Sequence, residues 1–415
     1  MAATPNVIRF PEVARPDVTV VMLTYNRWDL TKEALRLLAE VTEPCYEVVI
    51  VDNASTDGTL DELDRVSGAR ILRNPRNLGF GPANNQGAAM ARGRYLLLLN
   101  SDAWVRPGWL APLMDVADAD PGVAAVASKL LYPDGRLQEA GSIIWRDGRV
   151  RQYGDGDLPN RPEYNFRRTV DYASAACLLV RRSAFTSVGG FDPRFAPVYY
   201  EDVDLCLALA AAPGRVVFQP RSVVEHVRGA STGGGVQSAR IERNRRLLRA
   251  RWQSILDRRP PESWRVEPSA IAGGRDALAC ERILMLTGPR PDAAGTPEQR
   301  RLHSLIQAAA RRWPEARWTV ASLDGTPATR PDDLSDAGIE AVTGAPSWEQ
   351  WLAGRRYHYG VVAVADGRWT EGGLRDMVSA TQPQAVRVPV ADRVDLGAVA
   401  AALGRPDPGI PAYVR

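Results

Sequence analysis

The hydrophobic pattern changes period repeatedly along the first hundred residues. From residue 18 the chain reads VTVVMLTYN, an apolar, β-branched run that closes on polar residues and predicts a strand. Leu30, Ala34, Leu35, Leu37 and Leu38 then recur at helical spacing, predicting a helix over 29–41, and YEVVIVD predicts a second strand. NASTDGTLDEL supplies a polar turn and a helix start. A short strand near ILRN, a helix around 83–91 and the strand YLLLLN follow. Strands that alternate with helices predict a mostly parallel sheet.

In such sheets chemistry gathers at the carboxyl ends of the strands, where the loops line a crevice. Here those ends read Thr24-Tyr25-Asn26, Asp52-Asn53 and Asn100-Ser101-Asp102, so three strands deliver polar groups to one rim. Asn and Asp also cap helices, and capping is the alternative role for any one of them. Further on, ASAACLLVRRSAF reads as a buried strand entering a helix. GGFDPRF reads as a loop, and Glu201, Asp202 and Asp204 open a helix whose dipole favours acids.

After the glycine-rich GASTGGG, an arginine-rich helix is predicted over 237–258, and the prolines and glycines of 259–279 predict a linker. A new alternation starts at Arg282 with RILMLTG, WTVASL, GIEAV, YGVVAVAD and AVRVPV as strands between helical stretches, resembling half of a doubly wound domain. The expected organisation is a domain over 1–258, a linker over 259–279 and a Rossmann-like α/β domain over 280–415. Neither G-x-G-x-x-G nor a P-loop motif occurs.

Composition narrows the chemistry. The 52 basic and 49 acidic residues nearly cancel, which argues against a nucleic-acid binder; Lys32 and Lys129 are the only lysines. Cys45, Cys177, Cys206 and Cys280 are scattered and only three histidines occur, so any metal is expected on oxygen-rich ligands, favouring Mg2+ or Mn2+. No apolar run approaches the roughly 20 residues of a membrane span. A cytoplasmic protein is expected, with peripheral contact at the inner face of the cell membrane through the arginine-rich helix.

The ordered pieces VVMLTYN, VIVDNASTDGT, NPRNLGFGPANNQG, YLLLLNSDAWVRPGWL, ACLLVRRSAF, GGFDPRF, YYEDVDLCL and VVEH resemble the inverting glycosyltransferases of family 2, of GT-A fold, and within them the bacterial rhamnosyltransferase-like branch. The resemblance implies a GT-A nucleotide-diphospho-sugar transferase fold, a Rossmann-like, mostly parallel α/β sheet. The C-terminal region resembles the amino-terminal lobe of GT-B enzymes, which implies a non-catalytic module for acceptor binding or docking.

The resemblance also implies roles. Asp52 accepts the imide N–H of the donor's base, an exchange a carboxylate can make. Thr24, Tyr25, Asn26 and Asn53 lie by base and ribose, and Asn77, Gly79, Asn84 and Asn85 by ribose and diphosphate. Asn100-Ser101-Asp102 stands at the D-x-D metal motif, with Asn100 replacing the first aspartate. Asp102 and His226 are the implied metal ligands, and Asn100 and Ser101 donor contacts. Asp202 is the implied base that takes the acceptor's proton, with Glu201 orienting the acceptor or holding the loop. Expected partners are a UDP-, dTDP- or GDP-sugar donor and a hydroxyl of a glycan, a lipid-linked acceptor or a small natural product, with hexosyl or deoxyhexosyl transfer. The competing reading is a carbohydrate-binding or scaffolding protein that keeps the fold without turnover. After Asp204-Leu205-Cys206-Leu207 the family often has an arginine where this chain has Ala208, so acceptor identity is the open point.

Overall fold

The computed structural model of the 415-residue chain describes residues 8–41, 45–227, 234–262, 268–324, 333–343, 345, 347–365, 372–389 and 401. The chain divides into two compact units, Met1–Pro159 with Thr169–Arg259, and Asn160–Arg168 with Pro260–Arg415.

The first unit opens with β1 (Val18–Thr24), α1 (Trp28–Glu40), β2 (Tyr46–Asp52), α2 (Thr59–Leu63), β3 (Ala69–Arg73), α3 (Phe80–Ala89) and β4 (Tyr95–Asn100). It continues with β5 (Ala103–Val105), α4 (Ala111–Ala119), β6 (Val123–Leu131), β7 (Leu137–Glu139), β8 (Ser142–Ile144), β9 (Val150–Gln152) and, where the chain returns to it at Thr169, β10 (Arg168–Thr169). The last elements are β11 (Cys177–Arg181), α5 (Arg182–Ser187), α6 (Glu201–Ala211), β12 (Arg215–His226) and α7 (Gly234–Leu256). The strands of the main sheet run β12-β6-β11-β4-β1-β2-β3. β1 is parallel to β2 and β4, β2 to β3 and β6 to β12; β11 enters antiparallel between β4 and β6, and the short β5 and β7 pair antiparallel with β12 and β6.

The alternation read from the sequence thus yields a mixed α/β unit with a large, mostly parallel sheet. β1, β2 and β4 are buried almost throughout, which is why they read as unbroken apolar runs: helices cover both faces. Thr31, Ala34, Leu35 and Leu38 form the buried stripe of α1. α3 lies so close to the sheet that a Cβ on Gly87 would fall 2.5 Å from Cγ1 of Val21 and 3.0 Å from Cγ2 of Val51. That helix starts at Phe80, three residues before the sequence predicted, because Pro82 fits in a first turn where its missing N–H costs nothing.

The second unit holds α8 (Pro268–Arg275), β13 (Glu281–Thr287), α9 (Pro297–Arg312), β14 (Ala316–Ser322), α10 (Asp333–Asp336), β15 (Ile339–Thr343), α11 (Trp348–Ala353), β16 (Val361–Ala365), α12 (Gly372–Thr381) and β17 (Val386–Pro389). Its parallel sheet runs β15-β14-β13-β16-β17, with the strand order reversing between β13 and β16. Residues 259–279, read as a linker, carry α8 and the buried pair Arg275–Asp276. The segment 160–168 joins this unit through Phe166, fully buried with the guanidinium carbons of Arg275 and Arg317 at 5.4 and 5.3 Å from its ring centre. Of the glycine-rich stretch, residues 229–233 lie outside the described residues, and α7 begins at Gly234.

Candidate active site

Strand register brings the polar ends of the sheet to one rim. Thr24 of β1 stands beside Asp52 of β2, and Leu23 beside Asn100 of β4. The N–H of Asn100 donates to the carbonyl of Ala176, just ahead of β11, at 3.0 Å. The neighbouring N–H of Ala175 donates to the carboxylate of Asp202 at the start of α6. Hydrogen bonds and strand pairing therefore lead from Asp52 through Thr24 and Asn100 to Asp202 without leaving the rim.

Asp52 is fully buried. Its Oδ2 accepts the N–H groups of Ala54 and Ser55, both at 3.1 Å, while Oδ1 has no partner. A buried carboxylate oxygen left without a donor is costly unless a ligand supplies one. Around it the expected residues divide. Tyr25 is exposed. The hydroxyl of Thr24 instead bonds that of Thr31 on α1 at 2.8 Å. Asn26, with φ 58°, accepts the N–H of Thr56 at 2.7 Å and so ties the loop after β1 to the loop after β2.

The other asparagines are committed internally. Asn53 donates to Oδ1 of Asn77 at 2.9 Å and accepts from Leu78 at 3.0 Å; Asn77 accepts the N–H of Gly79. Asn84 donates to the carbonyl of Phe80. Asn85 makes a reciprocal pair with the backbone of Phe191, at 2.8 and 2.9 Å. These amides shape the loop before α3 and dock it on the GGFD loop. Gly79, at φ 89°, lets that approach happen: a Cβ there would lie 2.7 Å from the carbonyl oxygen of Pro197.

Asp102 and His226 meet because β5 pairs antiparallel with β12, with Ala103 opposite His226. Oδ1 of Asp102 lies 3.2 Å from Nε2 of His226, and Nδ2 of Asn100 lies 3.3 Å from the same nitrogen. Burial raises the pKa of Asp102, but when Nε2 of His226 carries a proton its hydrogen bond and charge outweigh burial and hold the carboxyl below its usual range. Half-exposed Arg27, bonded to Asp29 at 2.8 Å, adds a favourable charge to Asp102. One ionised carboxylate and one imidazole side by side suit two adjacent positions of an octahedral ion, whose neighbouring ligands lie about 3 Å apart when bonds are about 2.1 Å. Among the described residues no third His, Cys, Asp or Glu joins this pair, so the protein offers a hard divalent cation these two ligands with the Asn100 amide beside them. Ser101 is half-buried in the turn between these groups.

At the far end, Oδ1 of Asp202 accepts its neighbour Val203's N–H at 2.8 Å. Burial raises the pKa of Asp202, and raises Glu201 further because Asp202 adds a like charge. In this coupled pair Glu201 keeps the proton and Asp202 carries the charge. Glu139 on β7, buried and accepting the N–H of Ser174 at 3.0 Å, is pushed up to about 7 by burial, with Asp202 adding to the effect.

The loop carrying Asp202 is held from α7. Asn244, buried, donates to the carbonyls of Phe195, Val198 and Tyr199 at 2.9, 3.2 and 2.7 Å. Arg243 donates to those of Arg194 and Ala196. Asp204 takes Arg251 at 2.8 Å and the indole of Trp252 at 2.7 Å. Tyr199 and Tyr200, at φ 81° and 71°, sit in the strained left-handed region immediately before Glu201.

Sequence reasoning passed over Arg27, Gln138, Glu139 and Asn244. Arg27 directly follows the strand-end motif, which was its one available signal. The others lie in stretches whose patterns announced only a strand, a turn and a helix.

The sequence matches the family described as "Glycosyl transferase family 2" over residues 19–188. It is 30% identical over 260 residues to an uncharacterized protein, y4gI, of Sinorhizobium fredii, covering 59% of this chain and 28% of the relative. It is 34% identical over 235 residues to the O-antigen biosynthesis protein RfbC of Myxococcus xanthus, covering 54% and 18%. It is also 34% identical over 238 residues to the N-acetylglucosaminyl-diphospho-decaprenol L-rhamnosyltransferase of Mycobacterium tuberculosis, covering 52% of this chain and 77% of that protein. The chain thus spans under a third of the first two relatives and most of the third.

Proposed function

The chain belongs to glycosyl transferase family 2, and from that premise we propose that its first unit, of GT-A type, transfers a hexosyl or deoxyhexosyl unit, with inversion, from a nucleotide-diphosphate sugar to an acceptor hydroxyl. The observation that carries the reading is the rim itself, where three carboxylates differ in state. Asp52 is buried with one oxygen lacking a donor, Asp102 is held ionised beside His226, and Asp202 is poised above the usual carboxylate range.

In this reading the empty oxygen of Asp52 takes the imide N–H of the base, and Tyr25 covers the base from the exposed side. Asp102 and His226 hold Mg2+ or Mn2+, which when bound supplies Lewis-acid stabilisation to the departing diphosphate. Arg27 adds positive charge on that side. Asp202 accepts the proton of the acceptor hydroxyl as the anomeric carbon is attacked from the opposite face; Glu201, already protonated, stays neutral and orients. The rhamnosyltransferase relative supports deoxyhexosyl transfer to a lipid-diphosphate-linked acceptor. Among the described residues no helix is long and apolar enough to cross a membrane, so contact with such an acceptor is assigned to the surface of the protein, and the second unit is read as its docking module.

The test is a panel of UDP-, dTDP- and GDP-sugars with Mn2+ or Mg2+ and glycan or lipid-linked acceptors. At least one donor is expected to be bound and consumed. Asp202→Asn is expected to keep donor binding and lose turnover. Binding and consumption of none of the donors refutes the proposal, and binding without turnover by the wild-type protein favours a carbohydrate-binding role.

A further inference from the structure

The bond network behind His226 uses a residue that no step above requires. Gln138 lies on β7 and is almost fully buried. β7 pairs with β6 through Glu139 opposite Leu130 and Leu137 opposite Leu131, so Gln138 is the extra residue of a bulge. A bulge of this kind re-aims one side chain out of the regular alternation. Here the amide meets His226 twice: Nε2 of Gln138 lies 3.0 Å from the backbone carbonyl of His226, and Oε1 lies 2.7 Å from its Nδ1.

These two contacts fix a proton. A carbonyl oxygen only accepts, so the amide NH2 must face it and the amide oxygen must face the ring. An amide oxygen also only accepts, so Nδ1 must carry the hydrogen. In a neutral imidazole the lone pair is then on Nε2, the nitrogen that faces Asp102 at 3.2 Å and the Asn100 amide at 3.3 Å. The Asn100 amide donates to that lone pair, while the Asp102 oxygen faces the same nitrogen across a short gap with no proton between them, an arrangement that a cation replacing the amide contact relieves. With the proton on Nε2 instead, His226 would donate to Asp102 and close the gap with an ordinary hydrogen bond.

We propose that Gln138 is a positioning residue that holds the His226 proton on Nδ1 and so keeps Nε2 open toward the cation position beside Asp102. The cation rests on the reading given under Proposed function; the placement of the proton does not. Outer partners of this type change metal affinity by about 10–100-fold when removed.

The test uses the full chain labelled with 15N-histidine, observed at about pH 8, well above the ordinary histidine pKa of about 6.5. Three histidines give few signals, and His226→Asn identifies the one of interest. Wild-type protein without metal is expected to show a protonated Nδ1 and an unprotonated Nε2. Gln138→Leu is expected to move the proton toward Nε2 and to weaken Mn2+ binding, read from the free-ion electron paramagnetic resonance signal, by about 10–100-fold. Gln138→Glu still accepts from Nδ1 and is expected to keep the wild-type tautomer, which serves as rescue and as the readout should the leucine variant fold poorly. Wild-type protein with the proton on Nε2, or on both nitrogens, overturns the proposal. So does a folded Gln138→Leu protein with unchanged tautomer and unchanged Mn2+ affinity. A wild-type Nδ1–H with no binding of Mn2+ or Mg2+ upholds the role of Gln138 and removes the cation reading alone.

Discussion

Asn244→Asp tests whether α7 holds the loop of Asp202 in place. The native amide sends two N–H groups toward three backbone carbonyls, of Phe195, Val198 and Tyr199. An aspartate of the same shape has no donor and aims lone pairs at those oxygens. Losing about two bonds and leaving buried acceptors unpaired, at about 1–3 kcal/mol per group, predicts a loss of about 2–5 kcal/mol of stability. Without the clamp, Tyr199 and Tyr200 can leave the left-handed region, which releases about 1–3 kcal/mol of strain each and offsets part of the loss in a displaced loop. Displacement moves Asp202 relative to the acceptor, so kcat is expected to fall by about 10–100-fold while donor affinity at Asp52 changes little. Asn244→Ala, which removes the donors without adding repulsion, should be milder on both counts. Urea denaturation followed by tryptophan fluorescence and initial rates at saturating donor provide the measurements. An aspartate variant with wild-type midpoint and wild-type kcat would refute the argument that this amide sustains the loop.

Further outcomes follow from other groups. Because burial lifts Asp202 above the ordinary carboxylate pKa of about 3.9 and the base must be ionised, activity should fall about tenfold per pH unit on an acid limb that lies above pH 4; a rate flat from pH 7 to pH 4.5 would contradict this. Asp52→Ala should weaken nucleotide binding by about 10-fold or more in calorimetry, whereas Asn84→Ala, whose amide only reaches Phe80, should leave it near wild type. Burial pushes the Cys177 thiol up to about 12 and Cys206 higher still, so an aromatic disulfide reagent should titrate only the exposed Cys45 and Cys280 in native protein, and all four thiols in denaturant. In the second unit burial opposes the charge on Glu340, but Arg275 and Arg355 win and hold it at about 2. Its pKa is depressed on folding, so its contribution is present above about pH 4.5 and lost as pH falls toward 2; Glu340→Gln should cost about 3–5 kcal/mol near neutrality, seen as a lower urea midpoint for that unit.

The sheet was legible in the chain because strands covered on both faces must be apolar throughout: β1, β2 and β4 announce themselves as VTVVMLT, YEVVIVD and YLLLLN. Their polar ends were legible for the same reason, since Asp52 and Asn100 break runs that had no other cause to stop. What the pattern could not reveal is which atoms those ends engage. Asn53 and Asn85 sit in polar stretches whose pattern does not show that they accept the backbone N–H groups of Leu78 and Phe191. Gln138 looks like any residue of a short strand, and only the bulge opposite Leu130 and Leu131 turns its amide to His226. The inclusion of 160–168 in the second unit rests on Phe166 finding arginines more than a hundred residues later. Periodicity records burial, which is local to an element; the direction of a hydrogen bond and the partner of a buried charge depend on residues far away in sequence, and those were decided only when the chain closed on itself.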